Sequence, residues 1–427
     1  EFIIGFNMNK LRRILDIVKE QNEWRRKRCI NLVASENIMS PLAEKVYTSD
    51  FEGRYNEHNG IPHYHGTKYA MEIEEEVKEI FSERFKTSKV ELRPLSGGIA
   101  NLIVMKASTK YGDIIFSPGL PNGAHVSSTR YGAAGILGLK DVPMYYDEET
   151  LTLDVDKTVE LFRRIKPKLI ILGRSVILFP ELVKELREEV GDTPIMYDAA
   201  HVLGLIWGEK FQEPLKEGAD IMTASTHKTF PGPQGGVIIA RDDLDEKLWS
   251  KIESVTFPGL IYNHHIHRLP SLGITALEMN EFGKEYANQI IKNAKTLAKE
   301  LYSLGFKVLG KSKGFTESHQ VLIDVREFGG GKIVGDLLEE NNIIITKIAL
   351  PWDSPKDATG NPSGIRIGVQ EMTRLGMKEK EMKRIAEFFY EILIEKKNVK
   401  EEVIKFRMQF QKVHYCFEAD EYESYFA

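Results

Sequence analysis

The chain has 427 residues, too many for one small module and enough for two or three domains. Its 42% hydrophobic and 10% aromatic content can fill a substantial core, which excludes a wholly disordered chain. A formal charge of −5 excludes a general basic field that would recruit nucleic acid or acidic membranes. The two cysteines, Cys29 and Cys416, stand near opposite ends, which is neither a disulfide framework nor a cysteine zinc site. That usage points to a reducing cytosol. No apolar run approaches the roughly 18 residues that span a bilayer. The opening Glu1–Phe6 is too short for a signal-peptide core and lacks a basic start.

In chain order, residues 1–34 read as an N-terminal helical arm, in which Arg25-Arg26-Lys27-Arg28 is a solvated helix face rather than a nucleic-acid patch. Residues 35–280 alternate short β-rich runs with amphipathic helices. The buried strands are expected at Lys168–Gly173, Pro194–Ala199, Ala219–Ser225 and Gly236–Ala240, with a helix such as Glu181–Glu189 between two of them. This rhythm predicts an α/β fold: a mostly parallel sheet covered by helices, with ligands beyond the carboxyl ends of its strands. Residues 281–427 change pattern. A long helix at Glu281–Leu304 carries Ile290, Ile291, Ala294, Leu297, Ala298 and Leu301 on one face and stops at Gly305. Strands at Val321–Val325, Ile343–Ile345 and Gly364–Val369, a Gly329–Gly331 turn and a helix at Glu379–Ile394 complete a smaller α+β domain. The tail Gln411–Ala427 mixes aromatics and acids without periodicity, as either a packed or a frayed end.

Three stretches carry chemistry. Glu91–Gly98 followed by Ile99–Met105 reads as an extended segment, a Ser-Gly-Gly turn and a helix, whose first N–H groups attract an anion; a simple helix cap is the commoner origin of Ser96-Gly97-Gly98. Asp198, at the end of the run Pro194–Ala199, is placed to face a ligand crevice and hold a protonated ring nitrogen, or equally to cap a helix. Lys228 follows the next buried run, beside His227, Thr226 and Thr229 and before Pro231-Gly232-Pro233-Gln234-Gly235-Gly236. Desolvation there would lower its pKa, as a Schiff-base amine requires. A phosphate cradle, an acid for a ring nitrogen and an amine for an aldehyde match the three groups of pyridoxal phosphate. The 30 positions from Asp198 to Lys228 suffice for a strand–crossover–strand unit that brings both to one sheet edge.

These stretches, in this order, resemble the serine hydroxymethyltransferase family, pyridoxal-phosphate enzymes of the aspartate-aminotransferase fold type, in its archaeal form. The likeness runs from about Ile30 to Gly376. It rests on Asn31–Asn37, on Thr226-His227-Lys228-Thr229 with the following Gly-Pro-Gln-Gly-Gly, and on Ser363–Gly368. The resemblance implies that Lys228 links to the cofactor, Asp198 pairs with the pyridine nitrogen and His125 stacks on the ring. Ser96, Gly97 and Gly98 would hold the phosphate, Ser175 and His201 would lie near the ring hydroxyl, and Thr226 and Gly259 would be further cofactor contacts. Ser35, Tyr64 and Arg366 would bind substrate, Arg366 clamping its carboxylate. The segment Arg54–Glu57 with His63–Gly66 would reach a neighbouring subunit's site and supply Tyr55 and Glu57, Glu57 as acid/base, so a homodimer with shared sites is implied.

The implied reaction interconverts L-serine and glycine, with the one-carbon unit passing to a reduced pterin, either tetrahydrofolate or tetrahydromethanopterin. The rival readings are a pterin-independent β-hydroxy amino acid aldolase of the same fold and a non-catalytic protein on a degenerate fold. The second predicts loss of Lys228, Asp198 or Arg366, and all three are present. Some positions depart from the family. His65 replaces a second tyrosine, Leu260–His265 replaces a glycine-rich continuation, Gln370-Glu371 replace smaller residues, and the pterin-side segment around Asn341–Pro351 is only loosely similar. No metal is expected: His264, His265 and His267 invite zinc, but neighbours in one loop seldom converge on an ion without further ligands.

Overall fold

A computed structural model describes residues 2–426, with side chains from Met8 onward; Glu1 and the side chains of residues 2–7 lie outside the described part. The strands, in chain order, are β1 (Ile30–Asn31), β2 (Val90–Glu91), β3 (Ile114–Ser117), β4 (Lys140–Pro143), β5 (Leu169–Leu172), β6 (Ile195–Asp198), β7 (Ile221–Ser225), β8 (Gly236–Ala240), β9 (Lys307–Val308), β10 (Gln320–Asp324), β11 (Ile343–Ile344), β12 (Thr346–Ile348) and β13 (Gly364–Gly368). The strands expected from apolar runs match to within a residue or two.

The large sheet has the order β2-β8-β7-β6-β5-β3-β4. β7, β6, β5, β3 and β4 run parallel, β8 is antiparallel to β7, and β2 is antiparallel to β8. β5, β6, β7 and β8 are buried along their whole length, and their side chains alternate between two cores. Ile170, Leu172, Tyr197 and Met222 enter the larger core with Leu203, Trp207, Leu269 and Leu272. Leu169, Ile171, Met196 and Ile221 enter a second core with Ile103, Val104, Trp249 and Ile252. Helices therefore cover both faces, as a parallel sheet requires.

The helix expected to begin at Glu281 runs from Arg268 to Ser303, straight through position 280. Leu269, Leu272, Ala276 and Met279 extend its buried stripe toward the amino end, and Pro270 is tolerated in the first turn, where no intrahelical donor is lost. Beyond it, β12-β13-β10-β9 form an antiparallel sheet. β1, from the N-terminal arm, pairs in parallel with β11, aligning Asn31 with Ile344.

The tail packs on the body. Arg374 Nη1 donates to the Tyr415 carbonyl at 2.6 Å, Glu278 accepts from the Phe417 amide at 3.3 Å, and Lys45 pairs with Glu423 at 2.7 Å.

The unusual pair Gln370-Glu371 has a structural use. Gln370 Nε2 donates to the carbonyls of Val33 and Glu36 at 2.8 and 2.7 Å, and Glu371 accepts from Asn31 Nδ2 at 2.8 Å. Together they tie the Asn31–Asn37 stretch to the C-terminal half. Burial pushes the Glu371 carboxyl up to about 7, with the Asn31 bond opposing. A carboxyl raised on folding stabilises the fold fully below its unfolded pKa and loses that contribution as pH rises through the folded value. Thermal unfolding of the protein should therefore show a stability term, no larger than about 3 kcal/mol, fading between about pH 4.5 and 7. In Glu371→Gln that part of the slope should disappear, as melts across the same range would show.

Candidate active site

The strand directions bring one end of the sheet together. The segments leaving β2 (Ser96–Gly98), β3 (His125), β5 (Gly173–Ser175), β6 (Asp198–His201) and β7 (Thr226–Lys228) emerge at the edge where β8 starts, because Ser225 pairs with Gly236 across the antiparallel turn. This is the crevice where α/β sheets hold ligands.

Ser96 caps the helix Gly97–Ser108, its Oγ accepting from the Ile99 amide at 3.2 Å. The cap and an anion cradle coexist, since capping leaves other first-turn N–H groups free to face a ligand. A Cβ at Gly97 would lie 2.4 Å from Ser225 Oγ, so the helix start can sit this close to β7 only as glycine. Gly173, at φ +82°, is similarly constrained, since a Cβ there would meet the Asp198 carbonyl at 2.1 Å.

Asp198 is held from two sides. Its Oδ2 accepts from Asn101 Nδ2 at 2.8 Å and its Oδ1 from the Ala200 amide at 2.9 Å. Asn101 also donates to Ser127 Oγ at 2.9 Å and accepts from Thr223 Oγ1 at 2.6 Å, while Ser127 Oγ lies 2.7 Å from His125 Nδ1. One buried amide thus fixes both the carboxylate and, through Ser127, the imidazole. Asn101 carries no sequence signal beyond a polar residue on an apolar helix, and the reading of the sequence missed it.

Lys228 is 9% exposed. Burial pushes its amine down to about 8; Asp198 opposes this and Arg366 adds to it. Asn37 Nδ2 anchors the Lys228 carbonyl at 2.6 Å and the Tyr286 hydroxyl at 2.9 Å, and that hydroxyl donates to the Gln370 carbonyl at 2.8 Å. Thr229 Oγ1 donates to the His201 carbonyl at 2.7 Å, Thr226 Oγ1 donates to the Pro233 carbonyl at 2.6 Å, and so the loop is fixed along its length.

Arg366 comes from the other sheet, on β13. Its Nη1 donates to the Ser175 carbonyl at 2.6 Å, its Nε is buried without a partner, and burial lowers its pKa to about 10. Among the described residues no ion pair engages Lys228 or Arg366. A buried guanidinium without a carboxylate partner is costly, and an incoming carboxylate relieves that cost. His201 Nδ1 lies 3.1 Å from Gln320 Nε2 and 3.4 Å from His319 Nε2, and the two rings stack at 5.6 Å. Burial, with Lys228 and Arg366 nearby, keeps His201 well below the usual histidine range and takes His319 down to about 3, so both are neutral at pH 7. His125 is lowered by burial in the same way, against the opposing pull of Asp198. His319 and Gln320 were also missed: nothing local in β10 marks them. Ser35 lies on the same side, next to Ala34, whose carbonyl is 3.2 Å from His319 Nε2.

The family model for serine hydroxymethyltransferase matches residues 9–389. A serine hydroxymethyltransferase from Sulfolobus acidocaldarius is 52% identical over 416 residues, covering 96% of this chain and 95% of the relative. The chain belongs to the serine hydroxymethyltransferase family. A relative of the same name from Staphylothermus marinus is 50% identical over 416 residues, covering 96% of this chain and 93% of its own. Among solved structures, an L-threonine transaldolase from Pseudomonas fluorescens in an internal aldimine state superposes with a TM-score of 0.89 at 28% identity, covering 100% of this chain and 99% of that one. The fold is accordingly that of a pyridoxal-phosphate enzyme of the aspartate-aminotransferase type.

Four of the expected site residues lie outside the cluster. Tyr55 and Tyr64 are 53% and 46% exposed, with rings 5.4 Å apart, Glu57 is half-buried beside them, and Gly259 is exposed. They share one surface: His63, in the same loop, packs on Phe257 at 5.6 Å. The three loop histidines do not converge. His264 Nε2 lies 3.0 Å from Glu74 Oε2, while His265 stacks on His267 at 5.8 Å.

The amine of Lys228 is the nucleophile only when neutral, so its trapping reports the crevice electrostatics directly. In the cofactor-free protein, borohydride trapping of a small aldehyde on Lys228, read by peptide mass spectrometry, should rise with a midpoint near pH 8. Arg366→Met should move that midpoint up and Asp198→Asn should move it down.

Proposed function

We propose that the protein interconverts L-serine and glycine with pyridoxal phosphate and passes the one-carbon unit to a reduced pterin. The observation that carries this reading is the buried crevice holding Lys228, Asp198 and Arg366, with an excess of positive charge and an unpartnered guanidinium nitrogen. Its residues fit the cofactor: first-turn amides at Gly97 and Gly98 for the phosphate, the fixed Asp198 carboxylate for a ring N–H, His125 for a ring face and a lysine amine with a lowered pKa for the aldehyde. Thr226 shapes the lysine loop, Ser175 lends its carbonyl to Arg366, and His201 stands beside both.

Bound pyridoxal phosphate supplies the electron sink for the carbanion left when the Cα–Cβ bond of serine breaks. Arg366 holds the substrate carboxylate, a role that its planar fork performs better than an ammonium. Ser35 and Tyr64 complete the substrate contacts. Asp198 is kept in place by Asn101 and the Ala200 amide, where it would face a ring N–H. Lys228, poised near pH 8, takes and returns protons within the working range. His201 and His319, held neutral, add no charge that would compete for the carboxylate. Glu57 takes the proton from the serine hydroxyl, with Tyr55 beside it.

Because Tyr55, Tyr64 and Gly259 are exposed and Glu57 is half-buried, all outside the crevice of their own chain, we assign them to the site of a second copy, which makes the enzyme a homodimer. The exposed Met8, Leu11, Leu15 and Val18, spaced along one face of the helix Phe2–Gln21, support such an association. A cavity of about 600 Å³ between the loop after β3 and the segment after β12, lined by Leu120, Pro121, Thr129, Arg130, Tyr131 and Leu350, supports a pterin-sized carrier. The free thiols Cys29 and Cys416 suit a cytosolic location, and no described helix is long and apolar enough to cross a membrane.

Lys228→Ala should lose the absorbance of the lysine-linked cofactor and the serine-cleaving activity together. Arg366→Lys should weaken serine binding by roughly 1.5–3 kcal/mol, the worth of a charge-assisted contact, seen as a higher KM. Serine cleavage should accelerate with either tetrahydrofolate or tetrahydromethanopterin; a rate indifferent to both would make the protein an aldolase instead.

A further inference from the structure

The loop that carries Tyr55 and Glu57 is fastened at a point away from the cofactor crevice. Glu74, on the helix Lys68–Phe85, lies beneath it with a side chain only 13% exposed. Its Oε1 is 3.1 Å from His58 Nε2, and its Oε2 is 3.0 Å from both His264 Nε2 and Asn56 Nδ2. Asn263 joins from the same stretch as His264: its Oδ1 accepts from the Asn56 amide at 3.0 Å and its Nδ2 donates to the Arg54 carbonyl at 3.1 Å. Arg93 Nη1 donates to the His58 carbonyl at 3.2 Å. Asn263-His264 belong to the stretch Leu260–His265 that follows Gly259, so this fastening ties that stretch to the loop.

Glu57 stands between Asn56 and His58, and both neighbours are pinned to the same carboxylate. Asn56 is 1% exposed while Tyr55 is 53% exposed. With 56 and 58 both tied to Glu74, half-buried Glu57 is held between two fixed points. Burial raises the Glu74 carboxyl, but the bonds from His264 and His58 more than offset it and hold it well below the usual carboxylate range, so it is an anion whenever the enzyme works.

We propose that Glu74, with His58, His264 and Asn263, is the positioning clamp that presents Tyr55 and Glu57 to the neighbouring subunit's site. This rests on the reading that those two residues serve a shared site. Glu74 touches neither substrate nor cofactor; it acts through the loop.

The test uses holoenzyme and hybrid dimers. Glu74→Gln should lower kcat for serine cleavage by roughly 100-fold, the loss expected when a reacting group shifts by about 1 Å, while cofactor absorbance and Tm are kept. Asn263→Ala, which leaves the buried carboxylate in place and so tolerates folding best, should lose activity in the same direction by a smaller factor. Glu74→Gln subunits mixed with Lys228→Ala subunits should regain activity well above either parent, because one hybrid site joins an intact lysine to an intact loop. Wild-type kcat in both Glu74→Gln and Asn263→Ala, or activity lost only in step with bound cofactor, overturns the clamp. If Glu57→Gln complements Lys228→Ala but Glu74→Gln does not, the shared site stands and the clamp falls. If neither pair complements, the shared-site reading falls and takes the clamp with it.

Discussion

Two buried cations, Lys228 and Arg366, share a crevice with Asp198, and much of the surrounding structure serves to make that arrangement tolerable. Burying a charge without a partner is expensive. Here the expense is met in part by lowering the lysine pKa to about 8 and by bonding one arm of the guanidinium to the Ser175 carbonyl, and in part left open for a ligand. Burial, with Lys228 and Arg366 nearby, keeps His201 and His319 neutral, so no third cation is added.

Holding such groups still requires anchors outside the crevice. Asn101 fixes Asp198 and reaches His125 through Ser127, and Thr223 on β7 fixes Asn101 in turn. Lys228 is held by its backbone through Asn37, then Tyr286, then the Gln370 carbonyl; Tyr286 packs on Tyr415 of the tail at 5.1 Å. The N-terminal stretch Asn31–Asn37, the helix Arg268–Ser303, the residues after β13 and the C-terminal tail therefore converge on one lysine carbonyl. The two halves of the chain are joined at the point where rigidity matters to the chemistry.

The exposed loop carrying Tyr55 and Glu57 belongs to a different regime. Its anchors lie behind it: the Glu74 carboxylate holds Asn56 and His58, Asn263 holds the backbone at Arg54 and Asn56, and Arg93 holds the His58 carbonyl. Under the shared-site proposal, a group that enters a second copy's site has to be held from behind, since any contact in front would block the approach.

Much of the fold was legible along the chain, because strands buried on both faces read as continuous apolar runs and helices read as 3–4 spacing; β8 was placed to the residue. The helix start at Arg268 was not, because its stripe continues through a proline that only the first turn tolerates. The chemical types at the strand ends, Ser96-Gly97-Gly98, Asp198 and Lys228, were visible because glycine, acid and amine stand directly after apolar runs, where a parallel sheet gathers its ligands. Asn101, His319 and Gln320 were not visible. Their partners lie 97, 118 and 119 positions away, and an amide or imidazole acquires meaning only when folding brings it within hydrogen-bond reach. The sequence alone thus determined which reactive groups stand at the strand ends; the tertiary structure decided their charge states, their anchors and which further side chains join them, because desolvation and hydrogen bonding exist only between residues that folding has brought together.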